Sequence, residues 1–60
     1  MDRMIGKKFS ISGMFIEIIG DDDETWQCQN ITTRETVFIN KTTLEKAIKL
    51  GKAEEISKQE

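Results

Sequence analysis

Apolar and polar side chains alternate along the first two thirds of the chain. Phe9 and Ile11 are interleaved with Lys8, Ser10 and Ser12, the period-two signature of a half-buried strand over about residues 8–12. Ser12-Gly13 then reads as a tight hairpin turn, because glycine at its second position takes positive φ without strain. The return strand, about 14–19, puts Met14, Ile16 and Ile18 on one face and Phe15, Glu17 and Ile19 on the other. Gly20 and the run Asp21, Asp22, Asp23, Glu24 are expected to end it in a solvated loop, since adjacent carboxylates repel and stay out of a core. Alternation resumes over about 25–31, with Trp26 and Cys28 opposed to Gln27 and Gln29. Thr32 to Glu35 forms the next turn, and residues 36–40 carry the β-branched and aromatic side chains of a fourth strand.

After Asn40 the period changes. Thr42 lies three residues before Glu45, matching a capping box, and Leu44, Ala47, Ile48 and Gly51 follow at helical spacing. These residues predict a short helix over about 43–50, stopped by Gly51, with Lys49 and Lys52 near the negative end of its dipole. Ala53 and Ile56 fit either a short final strand or another helical turn, and Ser57 to Glu60 reads as a frayed end.

The expected fold class is therefore mainly β (β+α): a small antiparallel meander of four to five strands with one short C-terminal helix. Two arrangements bury the apolar residues. The sheet either curls into an SH3-like barrel, with the helix plugging one end and the segment from Ala53 closing the edge, or stays open with the helix on one face. The barrel handles edge strands and two apolar faces better and is the expectation.

Length sets the scale of this picture. The chain has 60 residues, enough for one domain with an ordered core over about 6–56. It contains no His, the commonest acid-base group and metal ligand near neutral pH, so neither an enzyme nor a metal or cofactor site is expected. Cys28 has no second cysteine to pair with and shares a face with Trp26, so it is read as a small buried hydrophobe. The charged N-terminus shows no signal peptide, and no apolar run reaches the roughly 20 residues that span a bilayer. The expected location is the cytoplasm. Asn30-Ile31-Thr32 and Asn40-Lys41-Thr42 match the glycosylation sequon but are read as turn and capping residues. Seven Lys against two Arg, with nine Ile, point to an AT-rich genome, hence a bacterial host or a phage-infected cell.

Gly6-Lys7-Lys8-Phe9, the Ile16-Glu17-Ile18 strand, the run Cys28 to Glu35 and the Leu44 to Gly51 helix form a pattern over about residues 6–51. It resembles the small SH3-like barrels appended to DDE-class transposases and to other phage or mobile-element proteins. Their turn usually has Gly where this chain has Arg34. The resemblance implies a non-enzymatic accessory or docking barrel and carries over no catalytic residue.

Three surfaces are candidates for function. The acidic run Asp21 to Glu24 lacks an EF-hand's ligand spacing, since the sixth and twelfth positions hold Trp26 and Thr32, so it is read as a solvated loop that can steer a basic partner. Outside that run the charge is +2, counted from the overall −2 by leaving out its four acids. This leaves Lys7, Lys8, Arg34 and Lys41 as an alternative nucleic-acid patch. The third is the second apolar stripe. If Ile16, Ile18, Trp26, Cys28, Val37 and Ile39 form the core with Leu44 and Ile48, then Phe15, Ile19, Ile31 and Phe38 point outward. The leading expectation is a protein-interaction module, a phage or mobile-element regulator or inhibitor. Its partner is a larger protein or a second copy of the chain, with no membrane and no small-molecule substrate.

Overall fold

The computed structural model describes residues 4–56. β1 (Lys8–Ile11) and β2 (Met14–Asp22) pair antiparallel, with Ile11 opposite Met14 across a two-residue turn. Both turn residues have positive φ, 51° at Ser12 and 78° at Gly13, the geometry that matches the right-handed twist of a hairpin. β3 (Thr25–Asn30) pairs with β2, and β4 (Thr36–Asn40) pairs with β3. Helix α1 (Lys41–Lys49) follows directly, and β5 (Ala53–Glu55) returns to pair with β1. The segment after Gly51 is thus a strand, not a further helical turn. The expected frayed end, Ser57 to Glu60, lies outside the described residues.

The strands form one antiparallel sheet in the order β4-β3-β2-β1-β5. It does not close into a barrel: β4 and β5 are its two edges, and α1, which connects them in the chain, contacts both. The helix therefore packs on the inner face, and the two sheet edges do not meet.

β2 departs from expectation. It does not stop at Ile19 but runs through Gly20 to Asp22, so Asp21 and Asp22 belong to a strand and only Asp23 and Glu24 form the turn. The reason is that ladder bonds use backbone groups alone, so acidic residues extend a strand wherever their side chains reach water. Asp23 takes φ 61°, a conformation that aspartate tolerates, and the Thr25 hydroxyl donates to the Asp22 carbonyl at 3.2 Å. The register steps from Ile18 opposite Cys28 to Gly20 opposite Gln27, leaving Ile19 as a bulge. The extra residue reverses the alternation. Ile16 and Ile18 face inward before it, and Asp21, opposite Trp26, lies on that same inner face after it.

The helix start also differs. Asn40, read from its sequon as a capping residue, is the cap in place of the capping-box Thr42: its Oδ1 accepts from the Thr42 and Thr43 amides at 2.9 and 3.3 Å. Thr42 lies inside the first turn, so the helix begins two residues earlier than the capping-box pattern implies. At the other end the Gly51 amide donates to Ile48 and the Lys52 amide to Ala47, a Schellman closure with Gly51 at φ 79°. Asn30 plays the expected turn role, its Oδ1 accepting from the Thr32 and Thr33 amides.

The core consists of Phe9, Ile16, Ile18, Trp26, Cys28, Leu44 and Ala53. Val37 and Ile39 pack against it only in part, because β4 is an edge strand. Ile48, expected in the core, is 40% exposed. Leu44 is the one helix residue fully buried, with Ala47 packed against the core beside it.

Candidate functional site

The outer face of the sheet is the side that α1 does not cover. Successive rows follow from the register. Phe38, Gln27 and Gly20 make one row, with the bulged Ile19 adjoining it. Thr36, Gln29, Glu17 and Lys8 make the next, and Phe15 beside Ser10 the one after. Phe38 is 57% exposed, Phe15 46% and Ile19 41%. These three stand on the surface as two apolar corners with a polar row between them. Ile31 is half-buried, since it sits in the turn after β3 with its amide donating to the Phe15 carbonyl at 2.8 Å.

The acidic stretch is divided between two environments. Asp21 meets the Lys41 ammonium at 2.6 Å, and the same ammonium lies 4.4 Å from the centre of the Trp26 ring. The bulge makes this contact, because without it Asp21 would face outward. Asp22, Asp23 and Glu24 stay exposed at the β2–β3 end. Among the described residues no group of three carboxylate or thiol ligands converges on one point.

The four candidate phosphate-binding residues are scattered. Lys7 reaches Glu55 at 3.4 Å beside β5, and Lys8 lies directly opposite Glu17 on the outer face. Lys41 is held on the inner side by Asp21 and Trp26. Arg34 occupies the β3–β4 turn with φ 70°, at the far end of β4 from Lys41. Its amide donates to the Asn30 carbonyl at 2.7 Å. A cation already facing a carboxylate is a poor phosphate ligand, so the arrangement offers no concentrated positive surface.

Cys28 is fully buried, with Sγ donating to the Trp26 carbonyl at 3.5 Å. Burial pushes its pKa up, which keeps the sulfur protonated and unreactive. An open groove of about 320 Å³ runs between sheet and helix, lined by Met4, Trp26, Lys41, Leu44, Glu45 and Ile48. Sequence reasoning missed it by placing Trp26, Leu44 and Ile48 together in a filled core. The cue was the shortness of the helix, which leaves Ile48 on the rim.

Among the described residues, no helix is long and apolar enough to cross a membrane. No family model, curated protein or solved structure matches the chain.

Proposed function

We propose that the chain is a small non-catalytic interaction module that docks on a larger protein through the outer face of its sheet. One observation carries this reading. Three large apolar side chains, Phe15, Ile19 and Phe38, lie 41–57% exposed on the face that the helix leaves uncovered. Large apolar groups exposed on one uncovered face mark an interaction site on a small domain, here as two apolar corners on either side of the polar row of Gln29 and Glu17. Asp22, Asp23 and Glu24 at the sheet's end add a negative field that orients a basic partner during encounter. In this reading the chain acts as a cytoplasmic regulator or inhibitor of the phage or mobile-element kind. Its sheet is then an open variant of the SH3-like barrels that the sequence resembles.

The test uses the double variant Phe15→Ser, Phe38→Ser. The wild-type chain, immobilised, should retain a partner from bacterial lysate, and the purified partner should then bind it in titration. The variant should lose that binding while its thermal unfolding stays cooperative. An unfolded variant would show that both rings belong to the core, and unchanged binding would place the interface elsewhere.

A further inference from the structure

The two edges of the sheet are built differently. β5 is three residues long and carries Glu54 and Glu55, a short charged edge of the kind that resists pairing with another strand. β4 has none of these protections. Its five residues, Thr36–Asn40, include no charge, no proline and no bulge.

The hydrogen bonds beside β4 show which of its backbone groups are free. The Asn30 amide donates to the Glu35 carbonyl at 2.7 Å, and the Lys41 amide to the Glu24 carbonyl at 2.9 Å. Bonded pairs alternate along an antiparallel ladder, so these two fix the phase: Glu35, Val37, Ile39 and Lys41 bond toward β3. Thr36, Phe38 and Asn40 then turn their amides away from the sheet. The Thr36 and Phe38 carbonyls point the same way, while the Asn40 carbonyl enters the first turn of the helix.

We infer that β4 pairs with β4 of a second copy of this chain, antiparallel, about a two-fold axis at Phe38. In that register Phe38 exchanges both of its free backbone groups with Phe38 of the second copy. Each Asn40 amide donates to the Thr36 carbonyl opposite, giving four backbone bonds in all. The side chains match under the same symmetry. The two Phe38 rings meet on the outer face, and each Val37 faces Ile39 of the other copy on the inner face, pairs that stabilise a sheet. No like charges are opposed, whereas β5 against itself would bring four carboxylates together. A foreign strand would satisfy the same backbone groups, but only a second copy brings this centred, self-complementary sequence. The bonds come from backbone at the sheet edge; the Phe38 ring is shared with the outer face, so Phe15, which the dimer does not use, separates this inference from docking on that face.

A five-residue edge buries less than the roughly 1,200 Å² of a standard stable interface, so the dimer is a weak one seen at high concentration. Sedimentation velocity at increasing concentration should show the mass rising from 6.9 kDa toward twice that value. Over the same range, amide exchange at Phe38 should slow. A chemically synthesised chain with an N-methyl group on the Phe38 amide keeps its side chain but loses the central donor. It should remain monomeric and unfold at the same temperature as the wild type in dilute solution. Phe38→Lys, which opposes two ammonium groups at the axis, should also abolish the dimer, while Phe15→Ser should leave it intact. A 6.9 kDa species at every concentration would overturn the inference. So would undiminished dimerisation of the N-methylated chain, or protection of Phe38 only when another protein is added.

Discussion

Replacing Asn40 by alanine is the most direct test of how the helix is held. α1 has nine residues, fewer than the roughly 12–15 that an isolated helix needs, so its ends and its packing must supply what propensity does not. Asn40 Oδ1 satisfies two amides that would otherwise lack partners, at 2.9 and 3.3 Å. Loss of such a cap costs about 1 kcal/mol, within a range of about 0.5–2. With an unfolding entropy of about 2.1 cal/mol/K per residue, a chain of 60 residues should lose about 8 °C of Tm for each kcal/mol. Asn40→Ala should therefore melt about 8 °C lower, and Asn40→Asp, which keeps an acceptor and adds a charge favourable to the dipole, should recover most of the loss. Thr42→Ala is the control. Thr42 would be the cap in a capping box, yet the structure places it within the first turn, where alanine is the better helix former. It should leave Tm unchanged or slightly raised. Thermal unfolding followed by circular dichroism, with urea titration for the free energy, reads all three variants. A fall for Thr42→Ala as large as that for Asn40→Ala would refute the assignment, as would an Asn40→Ala variant that melts within about 2 °C of the wild type.

Arg34 holds φ 70°, which costs a side-chain-bearing residue about 1–2 kcal/mol, so Arg34→Gly should raise stability in urea by about 0.5–1 kcal/mol after glycine's own entropy is counted. Cys28 should resist a thiol reagent in the folded chain and react at once in denaturant, giving a labelling rate that tracks unfolding. Because burial raises its pKa, the folded state holds the thiol proton more tightly than the unfolded state; stability should therefore fall as pH rises above about 8.5, a limb absent in Cys28→Ala. Lys41→Met keeps the aliphatic stem on Trp26 and removes the charge; the pair is partly exposed, so the loss in urea titration should stay below about 1 kcal/mol and shrink further with salt. Generic DNA and RNA should show no binding at about 50 mM salt, and binding with a steep salt slope would restore the basic-patch reading.

What the sequence made legible follows from where local rules act alone. Ser12-Gly13 was legible as a tight hairpin turn because Gly13 takes positive φ without strain, whereas the positive φ of Ser12, 51°, carries no signal of its own in the sequence. Phe15 and Ile16, at successive positions of one strand, had to face opposite sides of the sheet. Gly51 stopped the helix through its own backbone freedom. The misreadings arise where tertiary partners outweigh a local signal. Four consecutive acids look like a loop until a neighbouring strand offers ladder bonds to two of them. Thr42 and Glu45 have the spacing of a capping box, but Asn40 caps the Thr42 and Thr43 amides from two residues upstream and draws Thr42 into the helix. Ile48 lies on the apolar stripe of the helix, yet it stands 40% exposed on the rim of the groove that Trp26 and Leu44 also line. Closure of the sheet was the least legible feature. It depends on whether β4 and β5 meet, a contact between residues far apart in sequence that no local pattern reports, and they do not.

The bulge at Ile19 links these departures. A regular strand would alternate from Ile16 and Ile18 inward to Gly20 and Asp22, leaving Asp21 outward with the other acids. One unpaired residue exchanges the two faces from that point on. Ile19 is left exposed beside the row that carries Gln27 and Phe38, at one corner of the outer face. Asp21 turns inward to the Trp26 side, where it meets the first residue of the helix, Lys41. The ammonium rests on the indole and on the carboxylate together, so the helix enters the fold at a fixed point beside β3. Starting there, nine residues carry the chain across the inner face and return it to the far edge as β5. The helix thus occupies one side of the sheet, and the outer face and the β4 edge stay uncovered.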